Sequence, residues 1–252
     1  GNALDRAVAD YDRNALTMAD AVAKLTQYPL AFQPGARWFY GLSTDVLGHL
    51  IEVISGMTLG AFFKSRVFDP LGMADTGFEM PLDQAHRLAT LYEHTQGGFA
   101  KMADQNPCTP PVTLERGGAG LVSSMADYQR FADMLLRRGA YDGGQLLGRK
   151  TFDLMASNHM GGDLASRGQA HFSETTMEGI GFGLGVSVML DPSRAKIIGS
   201  PGEFAWGGWA STAFWVDPVE EMTVILMTQL APSSAYTLHR DLRVLSYQAL
   251  VG

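Results

Sequence analysis

Apolar positions recur at helical spacing through the first two thirds of the chain and at strand spacing through the last third. Residues 4–28 read as helical, with Thr17 or Asp20 capping a second helix that carries Ala21, Val22, Leu25 and Tyr28. Pro29 and the Gln33-Pro34-Gly35 turn stop it. Over 43–54, Ser43 is the predicted N-cap, Val46, Leu47, Leu50, Ile51 and Ile54 follow at helical spacing, and Gly56 closes the helix. A shorter helix is expected over 58–67, ending before Pro70-Leu71-Gly72-Met73. The clearest helix covers 124–138: Ser123 or Ser124 caps it, Asp127 lies in its first turn, Phe131, Met134 and Leu135 share a face, and Arg137-Arg138-Gly139 ends it. Residues 74–120 show no strong period and contain Gly97-Gly98, Pro107, Pro110-Pro111 and Gly117-Gly118. They are expected to be irregular, and a stretch of that length is often functional.

In the last third, residues 182–190, 196–200, 209–216 and 222–228 are rich in Val, Ile, Phe and Trp and read as strands. Asp191-Pro192, Pro201-Gly202 and Asp217-Pro218 fall between them. These connections are too short for crossover helices, so the strands should be antiparallel. A helix over about 234–249 closes the pattern. The division expected is a mostly helical region with long loops over 1–178 and antiparallel strands with a terminal helix over 179–252.

Composition narrows the function classes. The 252 residues suffice for one large domain or two small ones. With 46% hydrophobic and 18% charged residues, a buried core is expected and global disorder is not. The net charge is −7 without any Lys/Arg run, which argues against a nucleic-acid groove or an anionic membrane surface. Cys108 is the only cysteine, so there is no internal disulfide, and no Cys/His spacing points to zinc. That usage fits the cytoplasm and does not exclude export to the periplasm. No apolar run reaches membrane-spanning length. The chain opens on Gly1-Asn2 with no visible signal peptide and reads as the interior of a longer protein.

Spacing alone yields few candidates for chemistry. Gly41-Leu42-Ser43-Thr44-Asp45 lacks the second glycine of a nucleophile elbow. His49, His86, His94, His159, His171 and His239 do not cluster at metal-ligand spacing, and each is read as a surface or packing residue. One S-x-x-K string exists, Ser193-Arg194-Ala195-Lys196. As a nucleophile it would need both residues on one helical turn, so that the amine reaches the hydroxyl. It follows Asp191-Pro192 and leads into a predicted strand, so it is expected on an exposed loop.

A family resemblance enters at Pro34-Gly35-Ala36-Arg37-Trp38-Phe39-Tyr40-Gly41-Leu42-Ser43-Thr44-Asp45-Val46-Leu47-Gly48. It continues through Ile51-Glu52-Val53-Ile54-Ser55-Gly56, Asp69-Pro70-Leu71-Gly72-Met73 and Asp75-Thr76-Gly77-Phe78. It resumes at Gly118-Ala119-Gly120-Leu121-Val122-Ser123-Ser124, Trp206-Gly207-Gly208 and Phe214-Trp215-Val216-Asp217-Pro218. In this order the blocks resemble the class C β-lactamase and DD-peptidase superfamily of serine hydrolases, and most of all the family VIII esterases. The resemblance implies an α+β, β-lactamase/DD-peptidase-like fold: an antiparallel sheet flanked by helices beside a mostly helical region, here incomplete at the N-terminus.

It further implies Tyr40 as the catalytic tyrosine. A free phenol has a pKa of about 10 and needs a nearby ammonium to act as a base. In the family that ammonium belongs to the S-x-x-K lysine, expected upstream of this chain. The N–H of Trp209 would complete the oxyanion hole, with Gly207 and Gly208 letting substrate lie against the strand. Two departures from the β-lactamase pattern favour a neutral acyl substrate. Leu42 stands where an Asn would bind an acylamido group, and Trp206 stands where a Lys would pair with a carboxylate. Tyr40 and Trp206-Gly207-Gly208 are expected to line one cleft. The expected activity is a carboxylesterase working through an acyl-enzyme on a small ester or amide, with no metal and no cofactor. A β-lactamase or DD-peptidase is the nearest alternative, and a non-catalytic penicillin-binding-like homologue is a third.

Overall fold

The computed structural model describes residues 17–102, 108–168, 171–172, 175–233 and 235–251. The expected helical start before Thr17 and the turn residue Pro107 lie outside them. The chain divides into two compact units, Gly1–Leu88 with Gln105–Asp127, and Ala89–Asp104 with Tyr128–Gly252.

In the first unit, α1 (Met18–Leu25) opens on a capping box. The Asp20 N–H donates to the Thr17 hydroxyl oxygen at 3.2 Å, and the Asp20 carboxylate accepts from the Thr17 N–H at 3.3 Å. Met18 and Ala21 pack with Leu114 and Val22. The helix ends at Leu25, so Tyr28 falls beyond it, contrary to expectation. The Thr26 hydroxyl donates to the Ala23 carbonyl at 2.8 Å, which competes with helix continuation.

Helix α2 (Ser43–Ser55) forms where the apolar period places it and ends on Gly56, at φ 69°. Leu42, not Ser43, occupies the N-cap position, and it offers no side-chain cap. The larger departure is which face is buried. Asp45 and Gly48 are the buried residues, while Val46, Leu47, Leu50, Val53 and Ile54 are exposed. The Asp45 carboxylate explains the choice, because it accepts from Arg116 Nη2 at 2.8 Å and from the Gly118 N–H at 2.9 Å. One turn on, a Cβ at Gly48 would lie 2.9 Å from Leu59 Cδ2 and 3.3 Å from Gly117 Cα. A Cβ at Gly117 would lie 2.0 Å from the Thr44 carbonyl oxygen. The Asp-Val-Leu-Gly run is thus a contact surface for the chain at 116–118. Glu52, on the same side, accepts from the Leu59 N–H at 3.1 Å.

Helix α3 (Leu59–Phe63) is capped by Thr58 and passes through a π turn, Lys64–Phe68, into α4 (Asp69–Leu71). The expected stop before Pro70 does not occur. The Asp69 N–H bonds to the Lys64 carbonyl, five residues back, and this wider register accommodates a proline that has no N–H to give. Gly72, at φ 67°, ends the run instead. Leu59, Phe78 and Val112 form the local core with Ile51 and Phe63 against them. Asp127 is buried: its carboxylate accepts from the Asp75 N–H at 2.7 Å and the Thr76 hydroxyl at 2.9 Å. It lies in the first turn of α5 (Met125–Leu136), and its own N–H donates to the Ser124 hydroxyl oxygen at 3.3 Å.

The second unit opens with a hairpin, β1 (Tyr92–Thr95) and β2 (Gly98–Lys101), inside the stretch expected to be irregular. Gln96-Gly97 is the two-residue turn that brings Thr95 opposite Gly98. Two short pairs follow, β3 (Ala140–Tyr141) with β4 (Gly144–Gln145), and β5 (His171–Phe172) with β6 (Thr175–Thr176); α6 (Arg149–Met155) lies between them in sequence.

The main sheet has the order β11-β10-β9-β8-β7 and is antiparallel throughout, as expected. Its strands are β7 (Ile180–Phe182), β8 (Ser187–Met189), β9 (Phe204–Gly207), β10 (Ala213–Asp217) and β11 (Met222–Leu226). The strand expected over 182–190 is split by a hairpin in which the Gly183 N–H meets the Val186 carbonyl at 2.8 Å, with Gly185 at φ 93°. Residues 196–200 are not a strand. They follow α7 (Pro192–Ala195), whose C-cap Lys196 has φ 55°. Two further elements, β12 (Leu230–Ala231) and α8 (Leu238–Gln248), complete the unit, and β12 pairs parallel with β1.

Helix α8 is fastened to the sheet by a buried polar group. The Tyr247 hydroxyl lies 2.7 Å from Glu203 Oε2 and 2.6 Å from Asp217 Oδ2, and Arg243 stacks over Trp215 at 4.5 Å. Burial, then the two carboxylates, push the Tyr247 hydroxyl far above the ordinary phenol range. A second polar knot centres on buried Asp163, which accepts from the N–H groups of Gly179 and Ser166 at 3.1 and 2.9 Å and from Arg194 at 2.6 Å. The bond from the Gly179 N–H, followed by those from Ser166 and the charge of Arg194, holds Asp163 at about 2, below the usual 3.8.

Two outcomes follow. Asp45→Ala leaves Arg116 without its carboxylate and should lower unfolding stability by about 3–5 kcal/mol, read from the urea midpoint at constant slope. Asp163 is ionised in the folded chain down to about pH 2. Its contribution is therefore complete above about pH 4 and lost as the pH falls through 2. Asp163→Asn should lower stability at pH 7 and flatten the acid limb between about pH 4 and 2, as followed by circular dichroism.

Candidate active site

The sequence-derived site residues fall into two groups, one in each unit. In the first unit, Tyr40 ends an extended, exposed segment that leads into α2. Its ring is 51% exposed and lies 6.5 Å from that of Trp38. The segment is braced upstream, where Phe32 meets Phe39 edge to face at 6.1 Å and Arg37 lies 4.5 Å over Phe32. Leu42 follows as the half-buried N-cap, and its carbonyl accepts from the N–H groups of Asp45 and Val46, both at 3.1 Å. Tyr40 thus stands two residues before that N-cap, half exposed.

In the second unit, Trp206 and Gly207 end β9 and Gly208 begins the turn to β10. The Trp206 ring meets Phe182 edge to face at 5.4 Å. Trp209 is not in a strand, as the apolar run over 209–216 led us to expect. It occupies the turn, 61% exposed, with the Gly208 N–H donating to the Thr212 carbonyl at 2.7 Å and the Ser211 N–H to the Gly208 carbonyl at 3.1 Å. Among the described residues, nothing accepts the Trp209 N–H.

The turn is held in place from several sides. Ser211 is buried in the left-handed region at φ 66°, where a non-glycine residue is strained. Its hydroxyl donates to the Leu230 carbonyl at 2.6 Å, and the Leu230 N–H donates to the Ala210 carbonyl at 3.0 Å. His239 Nε2 lies 3.0 Å from the Ser211 carbonyl. A carbonyl only accepts, so His239 carries its proton on Nε2. The glycines leave little room for a side chain: a Cβ at Gly208 would lie 2.2 Å from Thr212 Oγ1, which would have to turn away, and one at Gly207 would lie 3.1 Å from the Thr212 carbonyl oxygen. Ser211, Thr212, Leu230 and His239 were not among the candidates from sequence. No motif marks them, because their partners are backbone atoms brought near by the hairpin and by α8.

Ser193 and Lys196 sit on an exposed turn between strands, as expected, although that turn forms one helical turn, α7. The Ser193 hydroxyl donates to Asp191 at 2.6 Å, and Lys196 is rotated away into the left-handed C-cap. This pair does not have nucleophile geometry. Among the described residues no group of three His, Cys, Asp or Glu side chains could hold a metal ion, and no single helix is long and apolar enough to cross a membrane.

The Beta-lactamase family model matches residues 1–249. The chain belongs to this family. Among its curated relatives, protein Rv1367c of Mycobacterium tuberculosis (strain ATCC 25618 / H37Rv) is 32% identical over 216 residues, covering 84% of this chain and 53% of that protein. Esterase EstB of Burkholderia gladioli is 29% identical over 240 residues, covering 88% of this chain and 55% of its own length. The chain thus spans about half the length of these relatives. Among solved structures, EstCE1, described as a hydrolase with promiscuous acyltransferase activity, superposes with a TM-score of 0.76 at 25% identity. That match covers 92% of this chain and 61% of the other. The fold is therefore the α+β architecture of β-lactamases and penicillin-binding proteins, in a chain related to esterases and acyltransferases of the Beta-lactamase family.

The turn geometry can be tested directly. Gly208→Ala should cost about 1–3 kcal/mol, because the new methyl meets the Thr212 hydroxyl. Adding Thr212→Ala removes the clash, so the double variant should be more stable than additivity predicts, measured as a coupling energy from chemical denaturation.

Proposed function

We propose that the complete protein is a serine carboxylesterase acting on neutral esters through an acyl-enzyme, with its nucleophilic Ser and paired Lys outside these 252 residues. The observation that carries this reading is the Trp209 N–H: an open donor on a strained turn fixed by hydrogen bonds from its neighbours. A donor fixed before the reaction stabilises a developing oxyanion without reorganisation at the moment of bond formation. In this role the Trp209 N–H binds the carbonyl oxygen as it gains charge. Gly207 and Gly208 leave the strand free of side chains, so substrate backbone or chain can approach it.

Tyr40 is assigned the proton transfer, its phenolic oxygen taking the nucleophile's proton and returning it to the leaving alcohol. Its exposure supports this over a core-packing role. Trp206 and Leu42 offer apolar area in place of a cation and an amide, which favours neutral acyl groups over the carboxylates of β-lactams and peptides. The named activity of EstB as an esterase points the same way. The assignment of the nucleophile to another segment has two supports. Ser193 is committed to Asp191, and the apolar stripe of α2, which begins at Val46 just beyond Tyr40, is left uncovered.

In the complete protein, Tyr40→Phe should lower kcat for p-nitrophenyl butyrate by roughly 10² or more while leaving the thermal midpoint in place. Trp206→Lys should shift the kcat/KM ratio toward carboxylate-bearing substrates. The 252-residue chain alone should hydrolyse p-nitrophenyl acetate no faster than its Ser193→Ala variant. Turnover that Ser193→Ala abolishes would overturn the placement of the nucleophile.

A further inference from the structure

The hairpin β1–β2 carries apolar side chains that no role so far uses. Its register sets His94 opposite Phe99, and the parallel pair with β12 sets Tyr92 beside Leu230. Paired and alternate positions share a face of a sheet, so these four side chains stand on the same side. The Tyr236 ring packs at 5.3 Å from His94 and 5.9 Å from Phe99. Beside them is a depression of about 340 Å³ lined by Thr90, Tyr92, Phe99, Thr228, Gln229 and Leu230. That volume lies at the lower end of small-molecule sites. Phe99 remains 60% exposed despite these aromatic contacts.

What the far wall of this depression is attached to gives it a purpose. The Leu230 N–H donates to the Ala210 carbonyl at 3.0 Å, its carbonyl accepts from the Ser211 hydroxyl at 2.6 Å, and the Thr228 hydroxyl donates to the Ala210 carbonyl at 3.3 Å. Trp209 immediately precedes Ala210. One strand spacing and one residue place the Trp209 peptide roughly 9 Å from the Leu230 backbone. The turn with the open N–H and the wall of the depression are thus neighbouring segments of one hydrogen-bonded unit.

We infer that this depression is the subsite for the apolar end of the ester: a neutral alkyl or aryl group of medium length whose carbonyl is presented to the Trp209 N–H. The inference rests on the reading of Trp209 given under Proposed function. The lining contains no charged side chain, so a carboxylate or ammonium held there would lose water without a counter-charge. The lining surface is mostly apolar, with Tyr92, Phe99 and Leu230 among its contributors. Gln229 is oriented by its amide donating to the Thr228 carbonyl at 2.7 Å.

Two measurements test the subsite, one of them independent of turnover. The neutral fluorophore N-phenyl-1-naphthylamine is titrated into this chain, its Phe99→Ala variant, and Leu50→Lys, which alters the exposed stripe of α2. Binding should weaken by about tenfold in Phe99→Ala and be unchanged in Leu50→Lys. In the complete protein, Phe99→Ala should lower the ratio of kcat/KM for p-nitrophenyl octanoate over acetate by about tenfold. A ratio that survives Phe99→Ala overturns the subsite, whatever the fluorophore does. No hydrolysis of either ester, with fluorophore binding still dependent on Phe99, overturns the esterase reading and leaves the apolar site standing.

Discussion

The carboxylate of Asp45 is the contact on which the first unit is built. It is buried at the start of a helix, and it is matched by a guanidinium and a backbone N–H from 116–118. A buried carboxylate without partners would cost several kcal/mol, so the chain at 116–118 must lie against α2. That approach is possible only because Gly48 and Gly117 carry no Cβ. Between them, one charge and two glycines decide which way the helix faces, and so where the segment bearing Tyr40 enters it.

This constraint overrides the hydrophobic pattern. A helix with Val46, Leu47, Leu50 and Ile54 on one side ordinarily turns that side inward. Here the inward side is Asp45, Gly48, His49 and Glu52, whose polar side chains meet Arg116, one another and nearby backbone N–H groups. Leaving the stripe in water is unfavourable at about 25 cal/mol per Å² of apolar surface. A surface of that kind is an interaction face.

Much of the fold was legible in the sequence because it rests on local signals. Thr17 or Asp20 read as a helix cap, and the structure joins them in a capping box; Gly56 read as a helix stop, and the short Pro- and Gly-bearing connections as antiparallel turns. What escaped depends on non-local contacts. Pro70 reads as a breaker unless the π turn before it is known. The apolar run through Trp209 reads as strand, because nothing local shows that Ser211 is drawn into a left-handed conformation by Leu230 and His239. The β1–β2 hairpin did have a local mark, Gly97-Gly98 between Tyr92 and Phe99, but the surrounding aperiodic sequence hid it. At the candidate site, Tyr40, Trp206, Gly207, Gly208 and Trp209 were visible through family resemblance, whereas the groups that hold the turn were not.

On the proposed reading, those holding groups would link catalysis to specificity. Leu230 contributes both of its backbone polar groups to the Ala210–Ser211 turn and its side chain to the apolar depression. A substrate group pressing on that wall therefore bears on a strand hydrogen-bonded to the turn that presents the Trp209 N–H. Binding energy from a remote apolar group accelerates a reaction only if it improves transition-state contacts at the reacting centre. On the proposed reading, the shared strand would give it a route, because Leu230 bonds directly to Ala210 and Ser211. If the proposed subsite holds, chain-length preference should therefore appear in kcat as well as in KM, because the same strand would contact the substrate and support the donor.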